Sequence, residues 1–257
     1  MRERAYTTRE VWVENDGARI YGVAYLPKAD EPAPLVVFAH ELGVDHSSGM
    51  KYAKALAAHG YAAYTFDFRG GTVGDNRSDG STTEMSVMTE ADDLAAVVAA
   101  ARSWDFVDAT RIAVLGGSQG GCASAVFAAA HPDAIDGLML LYPAFSIYDD
   151  VHATFASKDD LPETYGLFGG WMTVGRIYAE DMWDYDPLER IGAFPGRVLI
   201  VHGDADRTVD LSYSERAAHA YACAELCVIQ GAGHGFGGDA FKEACGYVLD
   251  YLGDIWG

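Results

Sequence analysis

The sequence predicts an α/β fold, with a mostly parallel, twisted sheet that starts antiparallel and carries helices on both faces. Two observations predict this fold. Short apolar runs rich in β-branched residues alternate with helical segments along most of the chain, which is typical of parallel strands joined by helices. The first two strand-like runs are instead separated by a tight turn. Half of the 257 residues are hydrophobic, so we expect a substantial core.

The antiparallel start is a predicted hairpin. The runs VWVEND and RIYGVAYLP are joined through Asp16 and Gly17, and a DG pair between two β-rich runs favours a two-residue turn. PLVVFA, from Pro34, then has the continuous apolar character of a strand that is buried on both faces. YAAYTFDF, from Tyr61, is the next predicted strand.

The middle and end of the chain continue the alternation. A helix is predicted from about Thr89 to Arg102, with Thr89 and Asp92 as its capping pair. Its apolar face comprises Leu94, Val97, Val98 and Ala101. Further strands are predicted in RIAVLGG, GLMLLYP, RVLIVHG and ELCVI, and further helices after Ser118, in LSYSERAAHAYA and in FKEACGYVLDYL.

One long segment interrupts this order. Residues 144–186 are too many for an ordinary connection, so we predict one domain over residues 1–257 with a lid inserted at about 144–186. The segment is rich in aromatic residues, which either wall an apolar pocket or only attach the insertion to the sheet. These residues are Phe145, Tyr148, Phe155, Tyr165, Phe168, Trp171, Tyr178, Trp183 and Tyr185.

A serine lies among glycines between a predicted strand and a predicted helix. The run Gly116-Gly117-Ser118-Gln119-Gly120 is a G-x-S-x-G, and in this position it predicts a sharp turn that exposes the Ser118 hydroxyl as a nucleophile. Alone, the motif would also suit a glycine-rich turn with a serine helix cap. The strand and the helix on either side favour the nucleophile.

A serine nucleophile needs a base and a group that orients the base. His234, in the glycine-rich loop QGAGHGFGG, is the predicted base, because the other downstream histidines suit structural positions. Asp204, Asp206 and Asp210 follow the strand RVLIVHG. Asp204 suits a turn, so Asp206 is the predicted partner of His234.

The order Ser118, Asp206, His234, together with the loops HGDADRTV, GAGHGF and FDFRGGTVGDN, resembles the α/β-hydrolase superfamily over nearly the whole chain. Within it, the chain most resembles the feruloyl and cinnamoyl esterases. The catalytic domain of the prolyl oligopeptidases is a more distant resemblance. The resemblance implies a serine esterase with no metal or organic cofactor.

The resemblance also implies an oxyanion hole of two backbone N–H groups, those of Gln119 and Leu42. This chain has Glu41 where the family has glycine. A carboxylate is unfavourable beside a developing oxyanion, so we expect the Glu41 side chain to point away and to pair with Arg69.

The function predicted from these residues is hydrolysis of a small-molecule carboxylic ester through an acyl-enzyme, on hydroxycinnamoyl or other aromatic esters. The predicted substrate contacts are Asp149, Trp171, Tyr178 and Trp183, and Asp149, Asp150 or a lid tyrosine would bond a phenolic hydroxyl. Three alternatives stay open: a short-chain esterase or thioesterase, a prolyl oligopeptidase-like peptidase, and a non-catalytic binding protein. A chain of this length leaves no room for the propeller that usually accompanies such a peptidase.

The net charge of −20 disfavours binding to nucleic acid and to anionic membranes. The first residues lack the apolar run of a signal peptide, so we expect a cytoplasmic protein with no membrane contact. The spacing of the four cysteines suggests free thiols rather than metal ligands. The sequence leaves a homodimer open.

Overall fold

The computed structural model describes residues 6–29, 31–74 and 76–257. Residues 1–5, part of the stretch in which we expect no signal peptide, and Asp75 of the FDFRGGTVGDN loop lie outside this range. The described strands are β1 Tyr6–Asn15, β2 Ala18–Pro27, β3 Ala33–Ala39, β4 Ala62–Phe66, β5 Val107–Gly117, β6 Gly137–Leu141, β7 Thr164–Leu167, β8 Met172–Gly175, β9 Arg197–Gly203 and β10 Ala224–Ile229. The described α-helices are α1 Met50–Ala58, α2 Val87–Ala101, α3 Ser118–Ala130, α4 Ile147–Thr154, α5 Arg176–Trp183, α6 Pro187–Arg190, α7 Leu211–Ala220 and α8 Gly238–Trp256.

Eight of the strands form the central sheet, in the order β1-β2-β4-β3-β5-β6-β9-β10. The hairpin β1-β2 and the pair β2-β4 are antiparallel, and the other pairs are parallel. The carboxyl ends of β3, β5, β6, β9 and β10 therefore meet at one edge of the sheet, where loops from different strands come together. The predicted antiparallel start and parallel body of the sheet are confirmed.

The core has two layers, one on each face of the sheet. Helices α1 and α8 bury residues such as Leu56 and Val248 against one face, and α2 and α3 bury residues such as Leu94 and Val126 against the other. All seven residues of β3 are buried, because helices cover both of its faces. In the described part of the chain, no helix combines the length and the apolar character that crossing a membrane requires.

The start of α2 differs from the prediction. The helix begins at Val87, and Ser86 caps it: the Ser86 hydroxyl accepts from the Thr89 N–H and the Thr89 hydroxyl accepts from the Ser86 N–H. Thr89 is therefore the third helical residue of a capping box, not the cap, and Asp92 has no part in it. The predicted apolar face of this helix, including Leu94, is buried.

Residues 144–186 fold over the carboxyl edge of the sheet as two helices, α4 and α5, separated by the two-stranded ribbon β7-β8. Helix α5 is tied to the body of the protein, since Tyr178 donates to the Gln119 side chain at 2.6 Å and Ser86 donates to Asp181 at 2.5 Å. The turn of the ribbon carries Phe168 and Trp171, which are 67% and 51% exposed.

Candidate active site

The serine lies at a strained turn between β5 and α3. Ser118 is the first residue of α3 and has a φ of 49°, in the left-handed region that non-glycine residues rarely adopt. The glycines around it allow this turn: a Cβ at Gly116 would come within 2.5 Å of the Gly120 carbonyl oxygen and of the Ser124 hydroxyl. The turn lifts the Ser118 side chain above the sheet edge, as G-x-S-x-G predicts.

Ser118, His234 and Asp206 come together at this edge. Ser118 Oγ is 2.9 Å from His234 Nε2, and His234 Nδ1 is 2.8 Å from Asp206 Oδ2. The Asp206 carboxylate is fully buried, whereas the His234 side chain is 22% exposed. The three residues lie in the segments that follow β5, β9 and β10, and they have the geometry in which an imidazole removes a proton from a serine hydroxyl.

Asp206 is held as a carboxylate by several donors. Burial by itself would raise the pKa of Asp206, but hydrogen bonds from His234 and from the backbone N–H groups of Val209 and Thr208 outweigh it and hold the pKa below its ordinary value. The neighbouring Asp204, which we assigned to a turn, accepts from the Gly231 N–H and so joins the Asp206 loop to the His234 loop. Asp206 therefore presents a fixed negative charge to His234.

Sequence reasoning missed one member of this cluster. His202, near the end of β9, is fully buried, and its Nε2 lies 3.1 Å from Asp206 Oδ2. In the sequence, His202 stands at the end of an apolar strand, which suggested a structural position. The spacing of four residues between His202 and Asp206 in HGDAD was the available signal.

The loop after β3 fixes a backbone donor beside Ser118. His40 is fully buried, its Nε2 accepts from the Phe68 N–H, and its Nδ1–H donates to the Glu41 carbonyl oxygen at 2.7 Å. In a trans peptide the C=O and the next N–H point in opposite directions. Since the Glu41 carbonyl points at the buried His40 ring, the Leu42 N–H points away from that ring, and Leu42 lines the same cavity as Ser118.

Gln119 offers the second predicted donor. It is the second residue of α3, where a backbone N–H has no acceptor within the helix. Its buried side chain is held at both ends: Tyr178 O–H donates to Oε1 at 2.6 Å, and Nε2 donates to Glu90 Oε1 at 2.9 Å. Glu90 is itself 1% exposed, and this burial raises its pKa well above the ordinary value.

The predicted pairing of Glu41 with Arg69 was wrong. Its Oε1 accepts from Tyr142 O–H at 2.8 Å, and its Oε2 is buried with no hydrogen-bond partner among the described residues. The side chain lies across Gly117, at which a Cβ would come within 2.9 Å of Oε1. Arg69 is engaged elsewhere, with Asp93 at 2.5 Å.

A cavity of about 380 Å³ opens at Ser118. Its wall is mostly apolar and largely aromatic, and it is built from the loop after β3, the start of α3 and the insertion. Phe155, Tyr165, Leu167, Phe168, Trp171 and Tyr178 supply the lid side, and Ile147 and Val151 of α4 line it as well. Asp150 adds a carboxylate whose pKa is raised by partial burial, against the hydrogen bond from Ser146.

Two of the four predicted substrate contacts lie in this wall, namely Trp171 and Tyr178. Asp149 does not, because it points toward α7, where it accepts from Tyr213 O–H at 2.6 Å and lies 3.8 Å from Arg216. Trp183 also lies outside the wall, with its ring 4.5 Å from that of His152. Both residues are on helices of the insertion, but on the sides turned away from Ser118.

One group of described side chains has the spacing of metal ligands. Asp45, His46 and Asp67 each offer a ligand atom, and these atoms lie within 4.8 Å of one another. Asp67 already accepts from both the ring and the backbone N–H of His46, each at 2.7 Å. The geometry is that of a hydrogen-bonded His–Asp pair.

A parallel sheet with an antiparallel start, a serine at the turn after β5, and an acid and a histidine in later loops define an α/β hydrolase. The chain belongs to the prolyl oligopeptidase family, whose sequence model matches residues 47–254. The predicted superfamily is thereby confirmed, including its link to the prolyl oligopeptidases.

Solved structures have the same fold. Est1E from Butyrivibrio proteoclasticus, with ferulic acid bound, matches with a TM-score of 0.85 and 24% identity over 95% of this chain and 99% of that chain. GrgF, an α/β hydrolase from Penicillium sp. sh18, matches with a TM-score of 0.76 and 17% identity over 98% of this chain and 99% of that chain. Mouse α/β hydrolase domain-containing protein 10 matches with a TM-score of 0.73 and 18% identity over 96% of this chain and 98% of that chain. At these identities the likeness is one of fold.

A curated relative matches part of the chain. The quorum-quenching protein AidA of Acinetobacter baumannii (strain MDR-ZJ06) is 30% identical over 114 residues. The matched segment covers 44% of this chain and 36% of AidA. The chain therefore matches only about a third of the length of that relative.

Proposed function

We propose that the protein is a serine carboxylic-ester hydrolase that acts on esters of aromatic acids, of the hydroxycinnamoyl type, through an acyl-enzyme. The observation that carries the proposal is the hydrogen-bonded series Ser118–His234–Asp206, at 2.9 Å and 2.8 Å, at the floor of an aromatic cavity. The fold shared with Est1E, which has been solved with ferulic acid bound, supports the acyl class.

In the proposed reaction, Ser118 Oγ attacks the ester carbonyl carbon while His234 Nε2 takes the hydroxyl proton. The carbonyl oxygen becomes an oxyanion between the Leu42 and Gln119 N–H groups. The C–O bond to the alcohol then breaks, and the alcohol leaves with the proton from His234. A water molecule repeats the sequence, so the acid is released and Ser118 regains its hydrogen.

The lining of the cavity supports an aromatic acyl group. Aromatic rings of the insertion line it together with Ile147 and Val151, so its wall offers the apolar surface that a planar ring would contact. Asp150 is the one carboxylate that α4 brings to this wall, so we propose it, in place of Asp149, as the acceptor for a phenolic hydroxyl. A cytoplasmic location stays a prediction.

The test is hydrolysis of a matched panel by the wild type and by Ser118→Ala. The panel comprises methyl ferulate, chlorogenate, 4-nitrophenyl acetate and butyrate, and a dipeptide anilide. We expect a preference for the hydroxycinnamates that Ser118→Ala abolishes. Faster turnover of the short aliphatic esters would refute the aromatic assignment and keep the serine mechanism.

The family match favours one second candidate, a peptidase. The same three side chains cleave amides as well as esters, so the residues around Ser118 do not separate the two reactions. Cleavage of the dipeptide anilide faster than of any ester, lost in Ser118→Ala, would establish this candidate. Inactivity of the wild type on the whole panel would point to a binding protein.

A further inference from the structure

Two imidazoles share one carboxylate oxygen at the candidate active site. Asp206 Oδ2 is 2.8 Å from His234 Nδ1 and 3.1 Å from His202 Nε2. On the far side of His202, Nδ1 lies 2.6 Å from Ser214 Oγ in α7. A continuous series of hydrogen bonds therefore runs from Ser214 through His202, Asp206 and His234 to Ser118.

The partners of His202 fix where its proton lies. Nε2 faces two acceptors, Asp206 Oδ2 and the Val209 carbonyl oxygen, each at 3.1 Å, so Nε2 carries the hydrogen. Nδ1 is then an acceptor, and the Ser214 hydroxyl donates to it. Burial lowers the pKa of His202, in keeping with a neutral ring that supplies one N–H donor to the carboxylate.

The two ends of this series differ in access. Ser214 and His202 are both 0% exposed, whereas Ser118 lines the cavity. Ser214 and His202 therefore cannot meet a substrate, although with Asp206 they repeat the same three residue types. Their effect on a reaction must pass through Asp206.

We propose that His202 is a positioning residue that holds Asp206 for His234 and sets the pH at which His234 becomes a base. This inference rests on the proposed function, because it gives His234 the role of base. The His202 N–H withdraws part of the Asp206 charge from the shared oxygen. Without that donor, Asp206 attracts protonated His234 more strongly, so the proton leaves His234 at a higher pH.

Other groups around this pair follow three strands of the sheet. Asp210 follows Asp206 in the loop after β9, and hydrogen bonds with Ser212 lower its pKa below the ordinary value. Tyr142, after β6, lies edge-on to His234 with a ring distance of 4.9 Å, and it bonds Glu41 after β3. None of these groups touches Asp206 Oδ2, so His202 is the described side chain that competes directly with His234 for that oxygen.

The experiment measures kcat/KM against pH for wild type, His202→Phe and His202→Gln on the best ester of the panel. The acid limb of this profile is the range in which kcat/KM rises with pH. We expect His202→Phe to move the acid limb to higher pH by about half a unit or more. Its plateau falls about tenfold, the order expected for a lost hydrogen bond to a charged group. His202→Gln retains an N–H donor within reach of Asp206 and is expected to restore the wild-type limb.

Two further variants make the result decisive. Ser214→Ala changes little volume and weakens His202 as a donor, so the limb moves in the same direction by less; this variant tests the proposal even if His202→Phe does not fold. His219→Gln, an exposed histidine on the same helix as Ser214, is the matched control and leaves the limb unchanged. A folded His202→Phe or Ser214→Ala with an unmoved limb, or a His202→Gln that behaves like His202→Phe, would overturn the proposal.

Failure of the proposed function can be told apart from failure of this inference. An alkyl fluorophosphonate forms an Oγ–P bond with Ser118 and releases fluoride, while His234 takes the serine proton, with no ester required. The pH dependence of this labelling rate reports on His234 directly. An upward shift in His202→Phe would support the inference even if no ester in the panel were cleaved.

Discussion

Replacing Glu90 by glutamine should change how the stability of the protein depends on pH. The Glu90 carboxyl is buried beneath Gln119, accepts from its Nε2 at 2.9 Å, and has an Oε2 without a partner among the described residues. Burial, reinforced by the nearby charge of Asp93, raises the Glu90 pKa well above its ordinary value of 4.5. The folded protein therefore keeps a proton that the unfolded chain releases.

The sign and size of the effect follow from this difference. As the pH rises above about 4.5, the unfolded chain loses the Glu90 proton while the folded protein keeps it. This group therefore lowers the free energy of unfolding of the wild type by about 1.4 kcal/mol per pH unit, until the pH reaches the pKa of Glu90 in the folded protein. Glutamine does not titrate. The free energy of unfolding of Glu90→Gln, minus that of the wild type, is thus expected to rise with that slope.

Urea unfolding at several pH values from 4.5 to 8, followed by tryptophan fluorescence, measures this difference. Any packing cost of the new amide adds a constant offset, so the slope alone is the test. Glu14→Gln, at an exposed position of β1, is the matched control and should give a slope near zero. A difference for Glu90→Gln that does not change with pH would mean that the buried carboxyl is ionised, and it would refute the reasoning.

Three further predictions concern residues around Ser118. His40→Phe frees the peptide that directs the Leu42 N–H, so kcat should fall about ten- to hundredfold with a smaller change in KM. This is less than the 10²–10³ that a lost oxyanion donor costs, because the N–H is loosened and not removed. Steady-state kinetics with an unchanged kcat would refute this role of His40. Gly120→Ala places a Cβ 2.5 Å from the Ala39 carbonyl oxygen, so the free energy of unfolding, measured by heat or urea, should fall by about 1–3 kcal/mol. The control Gly246→Ala, in open space on α8, should not be destabilising. Asp150→Asn should lower kcat/KM about tenfold for methyl coumarate but not for methyl cinnamate, which lacks the phenolic hydroxyl. Equal effects on both esters would show that Asp150 does not bind this hydroxyl.

Features encoded by neighbouring residues were the ones that the sequence predicted well. The turn at Asp16 and Gly17, with φ values of 51° and 80°, depends on two residues and two flanking runs. The elbow at Ser118 likewise depends on glycines within two positions of it. The N-cap of α2 was predicted wrongly, because Ser86 and Thr89 are both hydroxyl residues near the start of this helix and either could cap it.

Contacts between distant segments were harder to predict. Glu41 and Tyr142 meet because β3, β5 and β6 are adjacent in the sheet, and Arg69 is unavailable because Asp93 on α2 is nearer. His202 looked structural because nothing in its own strand indicates that α7 brings Ser214 to its other nitrogen. The ribbon β7-β8 has strands of four residues, too short for an alternating pattern to stand out.

The insertion is attached to the rest of the protein unevenly, and this has a consequence for redesign. Helix α5 is hydrogen-bonded to the Gln119 side chain and to the cap of α2, so changes there would disturb the start of α3 beside Ser118. The ribbon instead presents Phe168 and Trp171 with more than half of each surface exposed. Altering or exchanging residues 164–175 is therefore a way to change the lining of the cavity while the residues around Ser118 stay in place.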